Sequence, residues 1–417
     1  MMRMNKGKLC IWAGLVAIYC SHSQTNRLTG SPYSLFGLGI ESSSNVGKNA
    51  ALGGGGFALN NPNAINIRNP ASFGTESTNS FVFDIGFLGE LSTIQNNTLE
   101  ENRLASNFSS LAFSANIDEK STFALAVLPY SDVGYSLLGI ESNIEGSFDQ
   151  FNSNIFGSGA LNNFNLSYGR TLFKGLRLGA KISYLFGNVE ETEIVQSGIS
   201  GLTVAETSTY SGVQLGLGLQ ADLTKHIKYG GAINFPTELS GTQDRTVTKI
   251  LDFTQSPVES ETDIQLEKFE LPWEIHNGIL INPWKNLFLN FDHSFRAWDI
   301  TQQQDNIGEF VDQNIFSMGA EFNIDTNGLK YIQRMQFRTG YYYDTGYLSI
   351  RGENISSRGI SFGIGFPFGR GNSSMLNFSY TNMDRGSTNT ILVQENIHSI
   401  NINISLKDIW FLKRKIN

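Results

Sequence analysis

The chain has 417 residues, of which 16% are charged and 12% aromatic, with 43 Gly and only 9 Pro. Its 38 acidic side chains outnumber 30 basic ones, which excludes the cationic footprint that a nucleic-acid partner requires. Beyond the first residues no stretch approaches the ~18 consecutive apolar residues of a membrane-spanning helix.

Arg3, Lys6 and Lys8 form a basic start, Leu9 to Cys20 a short apolar core, and Ser21-His22-Ser23 a small-x-small site before Gln24. That order predicts a cleaved export signal over 1–23. Cys20 would also suit lipidation, but the bulky Tyr19 ahead of it argues against that reading. Cleavage removes both cysteines, Cys10 and Cys20, so the mature chain holds no thiol for a disulfide or a thiolate metal site. It also removes three of the 30 basic residues, leaving 27 against 38 acidic.

Residues 24–78 lack strong alternation and contain Gly53-Gly54-Gly55-Gly56 and Asn69-Pro70-Ala71-Ser72. The segment is too long for an ordinary connection. Its apolar residues, among them Leu35, Phe36, Leu52, Phe57 and Ile65, predict that it folds against something rather than trailing free.

From Phe81 onward, strand patterns follow one another. They fall at 80–91, 108–117, 121–132, 161–171, 175–187, 211–222, 227–236, 271–282, 287–297, 314–324, 331–343, 359–368, 374–382 and 398–407. Several alternate cleanly: Phe316, Met318, Ala320 and Phe322 oppose Ser317, Gly319, Glu321 and Asn323. In the last, Ile400, Ile402, Ile404 and Leu406 oppose Asn401, Asn403 and Ser405, because successive strand side chains point to opposite faces.

The connections alternate in length. Short turns lie at 118–120, 173–174, 223–226, 283–286, 325–330 and 369–372. Long polar ones lie at 92–107, 133–160, 188–210, 237–270, 298–313, 344–358 and 383–397. A closed antiparallel barrel in an outer membrane has short periplasmic turns and long extracellular loops. Closure follows from the solvent, since lipid cannot satisfy a free sheet edge. The fold class predicted is therefore all-β: a transmembrane antiparallel β-barrel of about fourteen strands, sealed by pairing of 398–407 with Phe81 to Leu91. Outward faces should be apolar and inward faces polar, which places Arg177, Lys181 and Glu321 inside. Tyr341, Tyr342, Tyr343 and Trp284 fit interfacial girdles.

Chemistry is sparse. His226, His276, His293 and His398 are scattered, and there is no nucleophile elbow or paired-His motif. Gly53 to Gly56 is followed by no Gly-Lys-Ser/Thr, so it reads as tight turns and close packing rather than a phosphate loop. No enzyme, cofactor or metal is expected.

Ala51-Leu52-Gly53-Gly54-Gly55-Gly56-Phe57-Ala58-Leu59, followed by Asn69-Pro70-Ala71-Ser72-Phe73, resembles the N-terminal pattern of the FadL/TodX family of outer-membrane transporters. Ser31 to Gly39 and the tail Trp410 to Lys415 resemble a Bacteroidetes branch of such proteins. The resemblance implies a fourteen-stranded barrel over 79–411, with 24–78 as a hatch or plug in the lumen and 412–417 as a basic periplasmic tail. It places Gly53, Gly54, Gly55, Gly56, Asn69, Pro70 and Ala71 in that hatch. It also implies a kinked third strand opening the wall sideways. Proline cannot donate to a sheet ladder, so Leu128-Pro129-Tyr130 marks the expected opening. The tail departs from the usual terminal aromatic, because Phe411 is followed by six further residues.

The function expected is passive uptake of a hydrophobic small molecule, a long-chain fatty acid or similar, with lateral exit through the wall. The alternative is a non-transporting barrel subunit of an outer-membrane complex, such as a secretion or barrel-assembly machine, a role that some Bacteroidetes relatives fill. Expected partners are outer-membrane lipid, a hydrophobic ligand or other outer-membrane proteins. An apolar cavity continuous with a wall gap favours transport. A filled lumen with exposed apolar patches on the loops favours a protein partner.

Overall fold

The computed structural model describes residues 29–42, 47–61, 63–74, 79–143, 150–251, 254–303, 305, 308–325, 327–389 and 392–409. The expected signal over 1–23 and the basic tail over 412–417 lie outside these residues.

Fourteen antiparallel strands close into one barrel. They are β1 (Ser80–Gln95), β2 (Glu100–Asn116), β3 (Ser121–Asn143), β4 (Gln150–Phe173), β5 (Leu176–Ser197) and β6 (Ser200–Asp222). Strand β7 is broken into Ile227–Asn234 and Thr237–Leu251, and β8 into Thr254–Gln265, Phe269–Leu271 and Glu274–Trp284. The wall continues with β9 (Leu287–Arg296), β10 (Gln313–Asn323), β11 (Gln336–Asp344), β12 (Ser357–Phe368), β13 (Ser374–Gly386) and β14 (Gln394–Ile409). Each strand pattern read from the sequence overlaps one of them. The break in β7 and the second of the two breaks in β8 come at Pro236 and Pro272, which lack the amide a ladder needs. There Phe235 and Trp273 meet edge to face at 5.1 Å.

The barrel closes where the alternation predicts. β1 pairs with β14 along its whole length, from Ser80 opposite Ile409 to Gln95 opposite Gln394. Ile400 and Ile402 face outward, whereas Asn401, Asn403 and Ser405 are buried inside. Arg177 and Glu321 are likewise buried inside. Of the three consecutive tyrosines, Tyr341 and Tyr343 are exposed on the outer face, but Tyr342 points inward, as strand alternation demands.

Two expectations are corrected. The connections at 133–160, 188–210 and 237–270 are mostly strand, not loop. β3, β4, β5 and β6 run for 23, 24, 22 and 23 residues, about twice the ~9–11 needed to cross a bilayer. Their polar upper halves pair with one another, so this side of the wall rises beyond the membrane. Polarity alone hid them, because ladder hydrogen bonds hold a polar ribbon as well as an apolar one. The turn at 325–330 is longer than expected: residues 331–334 form one helical turn rather than the start of a strand.

The described residues between 29 and 74 pack against the inner side of the wall. Their contacts run around it, to β3, β4, β6, β9, β10, β12 and β14, and only the interior reaches all of these. On the β1–β3 side part of the inward face is apolar, where Ile65, Ile67 and Phe73 cover Val82, Ala112, Ala124, Ala126 and Leu128.

Candidate functional site: the lumen and its internal segment

The internal segment is fitted to the wall by glycine sockets. Gly169, Gly179 and Gly218 stand in register across β4, β5 and β6. A Cβ at Gly179 would sit 2.2 Å from the Pro70 carbonyl carbon, and one at Gly218 2.1 Å from Asn69 Oδ1. A second socket, Gly319 and Gly340 in register on β10 and β11, receives Leu52 and Gly53. The sequence signal was present, as inward-facing glycines on neighbouring strands, but only strand register turns scattered glycines into a groove.

The predicted residues fill these sockets. Asn69 is fully buried. Its Nδ2 donates to the carbonyls of Phe57 (2.9 Å), Leu219 (3.0 Å) and Gly231 (3.1 Å). Its Oδ1 accepts from the Ala71 amide at 3.0 Å and caps the short helix Pro70–Phe73. Gly53, at φ +66, donates its amide to Ser361 Oγ at 3.1 Å. Gly56 and Phe57 donate theirs to the Asp292 carboxylate at 2.9 and 3.0 Å. Gly55 lies so close that a Cβ would be 2.3 Å from Asp292 Oδ2. Gly54 donates to the Asn49 carbonyl at 3.2 Å. The Gly-rich run thus serves close packing.

Ion pairs add to these contacts. Lys48 Nζ meets Glu321 at 2.9 Å, and Glu321 also accepts from Arg338 Nε at 2.8 Å. Glu41 pairs with Arg296, and Ser31 donates to Glu395, which Arg385 contacts at 3.2 Å. Burial raises the Glu41 carboxyl and Arg296 opposes that shift. Burial lowers the Arg68 guanidinium to about 10, which leaves it cationic at neutral pH.

Above this region lies a cavity of about 310 Å³. Its lining carries the charged side chains Glu41, Arg68, Glu90, Asp132, Arg296 and Arg385, with many Ser and Thr hydroxyls between them. At the end with the long connections the internal segment packs against apolar loop residues. Leu38 packs with Trp298 and Phe310, and Tyr33 and Phe36 with Leu348, Ile350 and Leu392. Among the described residues no group of three or more His, Cys, Asp or Glu is placed to hold a metal ion.

At Leu128-Pro129-Tyr130 the wall is interrupted. β2 and β3 pair only from Leu111 opposite Val127 down to Asn116 opposite Thr122. Above that, Pro129 begins a bulge against β4, between its pairing with Asn162 and that of Ser131 with Leu161. The internal segment crosses this interval. Ile40 and Glu41 pair with Asp132 and Ser131. Ser42 donates to the Tyr130 carbonyl at 2.9 Å. Gly30 accepts from Arg103 Nη1 at 2.9 Å, and Ser34 Oγ accepts from the Gly134 amide at 3.0 Å. Leu128 itself is buried inward.

A family model described as BamG matches residues 4–417. The chain belongs to the BamG family. The FadL/TodX resemblance is borne out as a likeness of fold, while the BamG family is a different one. The solved structures that this BamG-family chain resembles include the CymD monoaromatic hydrocarbon channel, at a TM-score of 0.62 and 16% identity, covering 89% of this chain and 99% of that one. The Ralstonia pickettii toluene transporter TbuX matches at 0.59 and 15%, covering 87% and 97%. A Pseudomonas aeruginosa FadL homologue matches at 0.61 and 10%, covering 88% and 99%. No match was found among curated protein sequences. At these identities the likeness concerns the fold: an outer-membrane β-barrel of the type those transport channels use.

Proposed function

We propose that this BamG-family barrel is a non-transporting subunit of an outer-membrane protein complex, of the secretion or barrel-assembly kind, with residues 24–78 as its resident plug. The observation that carries this reading is the internal segment bound across the lumen. Apolar packing ties the segment to the loops above, hydrogen bonds and ion pairs hold it below, and the cavity between sets Glu41, Arg68, Glu90, Asp132, Arg296, Asp344 and Arg385 among apolar Ile40, Leu88, Ile315 and Ile397. A greasy ligand there would desolvate carboxylates and guanidinium groups without replacing their partners, which is costly. Ligand sites for such molecules are mostly apolar.

The raised wall supports the same reading. Its tips carry exposed Leu138 (67%), Ile199 (67%), Leu251 (44%) and Val258 (60%) beyond the reach of lipid, and exposed apolar surface of this kind marks protein contacts. The test is site-specific photo-crosslinking in intact cells from Ile199 and Val258. A single protein partner crosslinked at both positions is expected. Crosslinks to lipid or solvent alone would remove the reading.

The interrupted β2–β3 ladder favours a second reading: uptake of a hydrophobic small molecule, such as a long-chain fatty acid, with lateral exit at Leu128-Pro129-Tyr130. Oleate uptake into cells with and without the protein tests it. A rate that depends on the barrel supports it, and equal rates oppose it.

A further inference from the structure

Five of the six short turns at the periplasmic rim share a feature that neither reading of the lumen uses. Phe173 precedes Lys174, Trp284 precedes Lys285, and Leu329 precedes Lys330. Leu223 lies two residues before Lys225, and Ile117 three before Lys120. All five apolar side chains are exposed: Ile117 61%, Leu223 61%, Phe173 62%, Trp284 70% and Leu329 100%. The five lysines are exposed as well, and among the described residues none is in an ion pair.

The rim acids are largely engaged elsewhere. Asp222 pairs with Arg177 at 2.6 Å. Asp118 accepts from the Lys120 amide at 2.7 Å and pairs with Arg170 at 3.4 Å. Asp325 accepts from the Asn327 amide at 3.0 Å. Glu119 and Asp408 are the exposed exceptions.

The turns are also stitched together. Thr171 donates to the Lys120 carbonyl at 2.8 Å, Asp222 to Gly175 at 2.7 Å, Asn282 to His226 at 2.8 Å and Asn323 to Asn286 at 2.9 Å. Arg334 reaches Asn372 at 3.0 Å. Each pair of apolar and cationic groups is therefore held at a fixed height, directly below the lipid-facing wall of Ile279, Phe291, Phe322 and Ile324. The opposite end of the barrel has the reverse sign, with Glu190, Glu191, Glu193, Glu206, Glu259 and Glu261 on the raised strands.

We infer that this rim is a binding ring for anionic glycerophospholipids of the inner leaflet, with a lysine on each headgroup phosphate and the adjacent apolar side chain in the acyl boundary. Lysines near a bilayer extend toward headgroups while their stems stay in apolar surroundings. Each cation near an anionic surface raises binding about fivefold.

The test uses the full chain reconstituted in vesicles of phosphatidylethanolamine and phosphatidylglycerol, re-extracted in detergent, with retained lipid measured by mass spectrometry. The wild type is expected to retain phosphatidylglycerol above the vesicle ratio. The variant K120Q/K174Q/K225Q/K285Q/K330Q, checked for folding by heat-modifiable gel mobility, is expected to fall to that ratio. The matching Lys→Arg variant is expected to keep the enrichment, and K285Q/K330Q alone to lose part of it. Inorganic phosphate is expected not to displace the lipid, since it offers no acyl chain. No enrichment in the wild type, full enrichment in the folded Gln variant, or displacement by phosphate each overturns the inference.

Discussion

Asn69→Ala tests how the internal segment is held. The two amide hydrogens of the buried side chain are shared among the carbonyls of Phe57, Leu219 and Gly231, and its oxygen accepts from the Ala71 amide. At about 1 kcal/mol net for each donor and for the acceptor, truncation costs about 3 kcal/mol. That is on the order of a hundredfold in the ratio of docked to undocked segment. The barrel ladder is untouched, so the wall should still form and migrate as a folded barrel. The assay is limited proteolysis of the purified barrel, followed at peptide bonds within residues 47–74, together with single-channel conductance in a planar bilayer. The wild type is expected to be closed and protected, and the variant to be cleaved and to conduct in bursts. Asn69→Asp separates the two roles of the side chain. It keeps the acceptor for the Ala71 amide but loses both amide donors and places a carboxylate against three carbonyls, so it should open further than Asn69→Ala. An Asn69→Asp barrel as closed as the wild type would refute the argument, because it would leave only the cap with any role.

Gly179→Val places side-chain atoms where Pro70 and Ala71 now lie, with the Cβ alone 2.2 Å from the Pro70 carbonyl carbon. It should expel that part of the segment and give the same proteolytic pattern from the wall side. Glu321→Gln removes the anion between Lys48 and Arg338 and leaves two buried cations. Breaking a buried pair in this way costs about 3–5 kcal/mol, so the midpoint of urea unfolding in detergent should fall clearly. Ile40→Cys with Asp132→Cys joins directly paired residues, whose separation suits a disulfide. The bridge should form on oxidation and tie the segment across the β2–β3 interval. Uptake would then stop if ligand leaves there, whereas complex assembly would be unaffected.

The fold was largely legible because a barrel wall repeats one physical rule. Ile400 to Leu406 shows it: lipid outside, polar groups inside, alternation between. The short turns, from Asp118 to Asn372, carried the strand count. What escaped was whatever did not depend on lipid. The upper halves of β3 to β6 mix many polar residues with scattered apolar ones such as Val133, Tyr135 and Val189, so they resembled loops. The candidate site was legible as a set of residues but not as a fit. Asn69 and Gly53 stood out by motif, but the glycines of Gly169, Gly179 and Gly218 become a socket only when the register aligns them. Lys48, Glu41 and Ser31 were missed altogether, since a lone charge or hydroxyl in an irregular segment signals nothing until its partner across the lumen is known. Leu128-Pro129-Tyr130 was singled out by the resemblance together with proline chemistry, and the β2–β3 ladder ends at Val127.

The central claim is that this barrel works by holding a protein partner rather than by passing a ligand. Extraction of the native protein in mild detergent, followed by intact-mass measurement of the complex and of its bound lipids, tests it most directly. A stoichiometric protein partner with no hydrophobic molecule in the lumen is the predicted result. A solitary barrel carrying a fatty acid or similar hydrophobic ligand would contradict it.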